Sequence, residues 1–161
     1  MKSNLIVIKK SIMHGKGAFA KTEIKEKTRI IEYIGKKVTK KRGDKIYLEQ
    51  VKKAEKEGIP VTTYLFSVSK KYDIDGDVSW NSAKYINHSC NPNCEVVNED
   101  GHIWIISKED IKKGEEITYD YGFPLINYKD HKCRCGSESC MGYILSKRSR
   151  KWLEKRLTKR K

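Results

Sequence analysis

Three cysteines near the C-terminal end of the sequence lie close enough together to bind a metal ion. Cys133, Cys135 and Cys140 belong to the eight-residue segment CRCGSESC. Three thiolates in so short a segment can occupy three corners of the tetrahedron that zinc prefers, and a closed structural site needs a fourth ligand. Cys90 and Cys94 are the other two cysteines of the sequence. The alternative is a loop of free thiols, but clustered thiols in a chain that shows no signal peptide favour zinc.

A dense polar stretch surrounds Cys90. Residues 85–94, YINHSCNPNC, run from an apolar pair into Asn, His, Ser and Pro. Such side chains compete for backbone hydrogen bonds, so the stretch predicts a tight loop with polar groups available to a ligand. A third segment, TYDYGFP at 118–124, carries two tyrosines that would face the same side of a strand. Taken alone, the two tyrosines are more often core aromatics, and an Asn-His pair more often caps a turn.

In this order, the three segments resemble the SET-domain protein lysine methyltransferases with a cysteine-rich post-SET tail. The likeness is to the histone-methylating branch, which carries YDY followed by Phe-Pro, and it covers about residues 12–145. It implies a mostly β fold with a few short helices, a zinc-bound post-SET segment and a C-terminal pseudoknot, in which the chain passes under a preceding loop. A pseudoknot is rare, because chains seldom thread loops.

The resemblance also implies domain boundaries. We expect a SET domain at 5–124 with a variable insert at about 36–60, a post-SET zinc segment at 129–145, and a basic tail at 146–161.

The same resemblance implies a binding site for S-adenosylmethionine. The residues that it assigns to this cofactor are His14, Lys16, Gly17, Tyr64, Asn87, His88 and Tyr143. The ligands that it assigns to one structural zinc ion are Cys90, Cys133, Cys135 and Cys140, which leaves Cys94 as a core residue or free thiol. By themselves, the two glycines of HGKG usually form a turn, Tyr64 would be a core aromatic, and Tyr143 would pack against Leu145.

Methyl transfer to a lysine side chain is the activity that the resemblance implies. The lysine amine must first lose a proton, since its reference pKa is about 10.4, and an apolar channel beside a positive sulfonium favours that loss. The amine must then be aimed at the methyl group from about 3–3.5 Å. By resemblance, Tyr121 is the catalytic tyrosine at the mouth of this channel, and Tyr119 governs how many methyl groups are added.

Short strands are predicted for most of the remaining sequence. Strands are expected at 5–8 and 62–69, and within 28–38, where the strand would end at Gly35. A hairpin is expected at 94–107, with its turn at Asp100-Gly101. Helical spacing at 43–57 predicts a helix that stops at Gly58. The segment YDIDGD at 72–77 is expected to be a turn between strands.

Composition describes one domain that is not embedded in a membrane. The 161 residues are 37% hydrophobic, enough for a core, and the mean hydropathy is −0.73. No apolar run approaches the ~20 residues that span a bilayer, and the four apolar residues at 5–8 are too few for the apolar core of a signal peptide. An intracellular protein is expected, nuclear or on chromatin if it is eukaryotic or delivered to a host, and cytoplasmic otherwise.

Charge is concentrated at the C-terminus. Residues 146–161 hold nine Lys or Arg against one Glu, so they carry +8 of the net charge of +14. Such a tail suits nucleic acid, but a solvated helix end is an equally good interpretation.

Two classes of function remain after these observations. The first is a methyltransferase that acts on a target lysine of a histone or histone-like protein, or of a non-histone protein. The second is a non-catalytic, zinc-containing module that binds nucleic acid or chromatin. The paired tyrosines and the Asn-His stretch favour the enzyme, because a binding module needs neither. The sequence carries no signal for an oligomeric state.

Overall fold

Short strands form most of the regular structure in the computed structural model, which describes residues 3–126 and 128–158. The strands are β1 (Ile6–Lys10), β2 (Lys16–Ala20), β3 (Arg29–Tyr33), β4 (Lys36–Thr39), β5 (Leu65–Ser67), β6 (Tyr72–Asp75), β7 (Asn87–His88), β8 (Cys94–Glu99), β9 (His102–Ser107) and β10 (Thr118–Tyr119). The helices are α1 (Lys40–Glu57) and α2 (Lys147–Thr158), with 3₁₀ turns at Ser82–Tyr85 and Tyr128–Asp130. The predicted mostly β fold is confirmed for this part of the chain, although α1 is about five turns long.

Within the described residues, the strands pair in four small sheets. β1 pairs with β2, three-stranded sheets form in the orders β3-β9-β8 and β4-β6-β5, and β7 pairs in parallel with β10. The predicted hairpin at 94–107 is confirmed as β8 and β9. Its turn residues Asp100 and Gly101 have φ angles of 51° and 92°, and a two-residue hairpin turn of the I′ type requires positive φ at both positions.

β3 ends at Tyr33, two residues before the predicted end at Gly35, and Gly35 lies between β3 and β4. A Cβ atom at this position would lie 2.2 Å from the carbonyl oxygen of Asp75 in β6. Glycine alone lets the chain pass this close to another backbone. The segment 28–38 is therefore two strands that belong to different sheets.

The prediction of a turn at 72–77 is wrong. Residues Tyr72–Asp75 form β6, the central strand between β4 and β5. Its two aspartates suggested a turn, but Asp73 forms a salt bridge with Lys40, and Ile74 packs against the core. Pairing on both edges of the strand outweighs the low strand propensity of aspartate.

The helix ends agree with capping rules. The Thr39 hydroxyl caps the N-terminus of α1 by accepting a hydrogen bond from the Arg42 N–H. Gly58, at the predicted stop, adopts the left-handed conformation with φ of 64°. Neither helix in the described residues has the length and apolar character needed to cross a membrane.

Isoleucines dominate the core. Six of them are almost fully buried: Ile24, Ile86, Ile103, Ile105, Ile111 and Ile117. Leu145, which follows the cysteine segment, is also fully buried. The chain therefore continues to pack against the body of the protein after its last cysteine.

The segment 116–121 lies directly against residues 85–94, which we call the Asn-His loop. The predicted tight loop is limited to residues 89–93 of this stretch, because Asn87 and His88 form β7 and Cys94 begins β8. β10 pairs in parallel with β7, and the Ser89 N–H donates to the Tyr119 carbonyl oxygen at 3.2 Å. The side chain of Asn93 accepts from the Thr118 N–H and donates to the Glu116 carbonyl oxygen, each at 2.9 Å. A late segment of the chain is thus fixed against an earlier loop, as a pseudoknot requires.

Candidate active site and metal centre

Four cysteine sulfur atoms converge between the Asn-His loop and the C-terminal segment. The Sγ atoms of Cys90, Cys133, Cys135 and Cys140 all lie within 4.8 Å of one another. Tetrahedral zinc with bonds of ~2.3 Å would hold its sulfur ligands about 3.8 Å apart, and Sγ of Cys90 lies 3.9 Å from Sγ of Cys133. The four thiols therefore fit one zinc ion with little movement. The structure brings together the four residues assigned to zinc, and the ion itself stays a prediction.

Cys94 lies apart from this cluster. It begins β8, is 1% exposed, and packs in the hydrophobic core. Burial raises the pKa of its thiol to about 12. A thiol that remains protonated among apolar side chains is a small core residue and a poor metal ligand.

His88 joins the cysteine cluster to the tyrosine segment. Its Nδ1 accepts a hydrogen bond of 3.1 Å from the Tyr121 N–H, and its Nε2 lies 3.4 Å from Sγ of Cys90. Nδ1 therefore carries no proton, and Nε2–H donates to the sulfur. Burial lowers the pKa of His88 to about 4, which keeps the ring neutral at neutral pH. The imidazole therefore donates a hydrogen bond to a cysteine predicted to bind zinc, as the residues around metal sites commonly do.

A cleft of about 720 Å³ opens beside the Asn-His loop. Its walls include residues 13–16, 60–64 and 129–135, and its volume is typical of sites that enclose a cofactor. Five residues assigned to the cofactor line it: His14, Lys16, Tyr64, Asn87 and His88. Gly17 and Tyr143 are not among the lining residues.

Asn87 is held in a defined orientation. Its Nδ2 donates to the Lys16 carbonyl oxygen at 3.1 Å and to Oε1 of Glu116 at 2.6 Å. These two bonds use both hydrogens of the amide nitrogen. The amide oxygen is therefore the atom that Asn87 offers to a ligand, and it suits a donor such as a protonated amine.

Gly17 contributes through a close contact with Glu116. A Cβ atom on Gly17 would lie 2.2 Å from Oε1 of Glu116, whose other oxygen accepts a hydrogen bond of 2.8 Å from the Ser11 hydroxyl. The glycine makes room for a carboxylate that ties the 11–17 segment to Asn87. Its role in cofactor binding stays a prediction, and this geometry makes that role indirect.

Tyr143 is engaged with another aromatic residue. Its ring meets that of Tyr128 edge to face, with 5.0 Å between centroids, and its backbone forms a bridge with Lys132. The next residue, Ile144, lines the cleft. The predicted packing of Tyr143 on adenine stays a prediction.

The rings of Tyr119 and Tyr121 lie side by side, with centroids 4.9 Å apart. Both line a second cavity of about 240 Å³, beside Phe66. Tyr121 also lines the large cleft, so it stands where the two spaces meet. The predicted pairing of the two tyrosines on one side is thus present in the structure.

Burial raises the pKa of both tyrosines above the ordinary value of about 10. The hydroxyl of Tyr121 donates a hydrogen bond of 3.0 Å to the Ile86 carbonyl oxygen. Both hydroxyls therefore stay protonated at neutral pH. They can orient a substrate through hydrogen bonds, and they are unsuited to act as a general base.

The sequence analysis missed several residues of the small cavity: Tyr33, Phe66, Lys84 and Phe123. Two of them could have been identified, because residues two apart on a strand face the same side. Phe66 follows Tyr64, and Phe123 follows Tyr121, at that spacing. Lys84 had no such signal. Its ammonium group pairs with Asp77 at 3.0 Å and lies 5.4 Å from the centre of the Tyr64 ring.

Comparison with known proteins agrees with this geometry. The family model described as SET domain matches residues 15–122. The chain is 39% identical over 147 residues to histone-lysine N-methyltransferase set-2 of Caenorhabditis elegans, covering 89% of this chain and 9% of that protein. It is 41% identical over 139 residues to histone-lysine N-methyltransferase SETD1B of Homo sapiens, covering 84% of this chain and 7% of that one. It is 37% identical over 161 residues to human histone-lysine N-methyltransferase 2D, covering 93% of this chain and 2% of that protein.

This chain therefore spans less than a tenth of the length of these curated relatives. The matched region nonetheless contains the Asn-His loop, both tyrosines and just over half of the residues that line the cleft, and the family model covers well over half of the sequence. The chain belongs to the SET-domain family.

Proposed function

We propose that the chain is an S-adenosylmethionine-dependent protein lysine methyltransferase. The observation that carries the proposal is a shared wall between two cavities. Tyr64, Lys84 and Tyr121 line both the cleft of about 720 Å³ and the cavity of about 240 Å³. A ligand in the large cleft would therefore meet a side chain that enters the small cavity. Two adjoining spaces of such unequal size suit a bulky methyl donor and a slender lysine side chain.

The cofactor, when bound in the large cleft, supplies a methyl group already activated by its sulfonium. The residues of this chain then have to hold the lysine and favour its neutral form. The rings of Tyr33, Phe66 and Tyr119 line the small cavity, so a lysine that enters this channel exchanges water for aromatic surface. Removal of water from an ammonium lowers its pKa, so this channel favours the neutral, nucleophilic amine. The hydroxyl groups of Tyr119 and Tyr121 can aim it.

Zinc would act here as a structural ion. Four cysteines would complete its coordination, so no open position would remain for chemistry. The ion would join the Asn-His loop to the segment 133–140 and hold two walls of the cleft together. We propose the boundaries 5–124, 129–145 and 146–161 for the SET domain, the post-SET segment and the basic tail.

The proposed substrate is a lysine of a histone or histone-like basic protein. The support is that the relatives set-2, SETD1B and 2D are each named histone-lysine N-methyltransferases. A non-histone protein is the alternative substrate. A histone substrate would place the protein in a nucleus or on chromatin, whether its own or that of a host.

The decisive experiment compares methyl transfer by the wild type and by Tyr121→Phe. Purified protein is incubated with S-adenosylmethionine and candidate basic proteins, and the products are identified by mass spectrometry. The variant loses one hydroxyl, so we expect it to bind the cofactor with nearly unchanged affinity in calorimetry and to lose at least nine-tenths of the turnover. Unchanged turnover would limit Tyr121 to packing. A wild type that modifies no protein would favour the non-catalytic binding module.

A second proposed function is contact with nucleic acid through α2. At 100° per residue, Lys147, Arg148, Lys151, Lys155 and Arg156 fall on one half of the helix, and all five are exposed. Trp152 lies on the same half, 47% exposed, with the guanidinium of Arg156 5.0 Å from its ring centre. A face that combines five cations with an aromatic ring suits phosphates and bases.

A further inference from the structure

Arg150 lies in the basic helix α2 but points away from the exposed cationic face of that helix. Arg150 is 6% exposed, whereas its neighbours Arg148 and Lys151 are exposed. A buried guanidinium is costly unless it is paired and hydrogen bonded. Its environment is therefore expected to contain specific acceptors.

Arg150 has three acceptors, and they come from three separate segments. Nη2 donates to the carbonyl oxygen of Cys90 at 2.9 Å and lies 3.3 Å from Oδ2 of Asp120. Nη1 donates to the carbonyl oxygen of Leu145. One side chain thus connects the Asn-His loop, the tyrosine segment and the end of the post-SET segment.

Asp120 occupies the position between the two active-site tyrosines. Its Oδ2 also accepts from the Lys147 N–H at 3.0 Å, and its Oδ1 accepts from the Gly122 N–H at 2.9 Å. The carboxylate is therefore fixed by α2 on one side and by its own turn on the other. Displacement of Asp120 would move the backbone of Tyr119 and Tyr121.

Cys90 is the second element held by Arg150. Its carbonyl oxygen also accepts from the Ser139 hydroxyl at 3.3 Å. The loop that contains Cys90 supplies Asn87 and His88 to the cleft, and His88 bonds to the Tyr121 N–H. Arg150 therefore reaches both sides of the junction between the two cavities without lining either one.

We propose that Arg150 is a positioning residue, which fixes the Asn-His loop against the Tyr119–Tyr121 segment so that the two cavities stay aligned. The kinetic part of this proposal rests on the proposed methyl transfer. Arginine suits the role because its planar guanidinium has five N–H donors, whereas a lysine ammonium is a point charge on a flexible stem. In consequence, α2 helps to hold the active site in place and is more than a solvated tail.

The test compares Arg150→Gln with Arg42→Gln in the full chain. Both variants remove one arginine charge from a helix, but Arg42 lies in α1 and is exposed. Each variant is titrated with S-adenosylmethionine by calorimetry, so that kcat is expressed per cofactor-binding site. Hydrogen exchange is measured at the backbone amides of Ser89 and Tyr121, which report the contact without any need for methyl transfer.

For Arg150→Gln we expect one cofactor site and one zinc ion per chain, an unchanged KM for substrate, a kcat at least tenfold lower, and exchange at both amides at least tenfold faster. Arg42→Gln should match the wild type. The proposal is overturned if the two variants agree, or if kcat falls only in proportion to the number of cofactor sites. A wild type that transfers no methyl group would refute the proposed function, and the exchange rates would still decide the role of Arg150.

If Arg150→Gln does not fold, Arg150→Lys takes its place. The ammonium keeps the charge but cannot satisfy three acceptors in the same geometry, so we expect kcat per site to fall at least threefold and the Ser89 and Tyr121 amides to exchange faster. Wild-type values of both quantities in Arg150→Lys would refute the proposal.

Discussion

The backbone N–H of Tyr121 donates a hydrogen bond of 3.1 Å to Nδ1 of His88. The other ring nitrogen of His88 lies against Cys90. A single neutral imidazole thus separates the proposed catalytic tyrosine from the proposed zinc site. The proposed metal centre and the proposed reaction site thus pack against each other, and a disturbance at either is expected to reach the other.

Removal of one zinc ligand should therefore abolish activity. We expect Cys133→Ser to lose the ion and all methyl transfer, because three thiolates cannot close the site and the 133–140 segment would leave the cleft wall. Cys94→Ala is the matched control, since Cys94 is a buried core residue outside the cluster. Elemental analysis of protein purified without chelator should give one zinc per chain for the wild type and the control. Metal-free wild type would refute the site.

Acid should destabilise the protein through His88. Its pKa is about 4 in the folded protein, mainly because of burial, against 6.5 in the unfolded chain. Between these two pH values the unfolded chain binds more protons, so the free energy of unfolding falls as the pH decreases from about 6.5 to about 4. The loss grows as the pH approaches 4, because His88 is then increasingly protonated in the unfolded chain and still largely neutral in the folded protein.

Urea denaturation at pH 7 and pH 5 measures this effect. Acid also releases zinc from thiolates, so the comparison needs His88→Gln, which keeps polar atoms at this position but cannot titrate. We expect the variant to be less stable at pH 7 and to lose less stability than the wild type on going to pH 5. Equal losses in the two proteins would assign the acid effect to zinc release alone.

The local pattern of the sequence identified much of the fold. Asp100-Gly101 between apolar runs predicted the β8–β9 hairpin, and Gly58 predicted the end of α1. Local propensity failed at Asp73, where β4 and β5 pair on both sides of an aspartate-containing strand. Such pairing joins residues far apart in sequence, so a pattern confined to a short window does not contain it.

The candidate site likewise contains residues that a local sequence pattern could identify and residues that it could not. The spacing of Cys133, Cys135 and Cys140 was enough to predict a metal cluster, but the choice of Cys90 over Cys94 came from family resemblance. The structure supplies a physical reason, because Cys94 is buried in the core. Arg150 could not be distinguished from the other basic residues around it, since its acceptors on Cys90 and Asp120 lie 60 and 30 residues away in sequence.

Nucleic-acid binding by α2 should depend on the face of the helix and not on net charge alone. We expect the triple variant with Lys147, Lys151 and Lys155 changed to Gln to bind DNA more weakly and to lower the slope of log affinity against log salt by up to about 3. A variant with Lys45, Lys52 and Lys56 of α1 changed to Gln loses the same charge from exposed positions. Equal salt slopes for the two variants would mean that α2 makes no specific contact.

The last prediction concerns how many methyl groups are added. Tyr119 is buried at the wall of the small cavity, 6.2 Å from the ring of Phe66. Its hydroxyl can hold a water molecule or the substrate amine, and an amine that already carries methyl groups must displace this partner. Loss of one hydrogen bond costs about 0.5–1.5 kcal/mol, enough to slow later transfers roughly two- to tenfold. We therefore expect mainly mono- and dimethylated product from the wild type, and a product with one more methyl group from Tyr119→Phe.

Tyr33→Phe is the control for this experiment. Tyr33 lines the same cavity, but its one hydroxyl hydrogen is already donated to the Tyr64 carbonyl oxygen at 2.7 Å, so it cannot donate to a water molecule or to the lone pair of the amine. Its removal should leave the number of methyl groups unchanged. The measurement is a time course of product states on one peptide, resolved by mass spectrometry. Rapid trimethylation by the wild type, with the same course in Tyr119→Phe, would contradict the prediction, because the hydroxyl at 119 would then place no limit on the space around the amine.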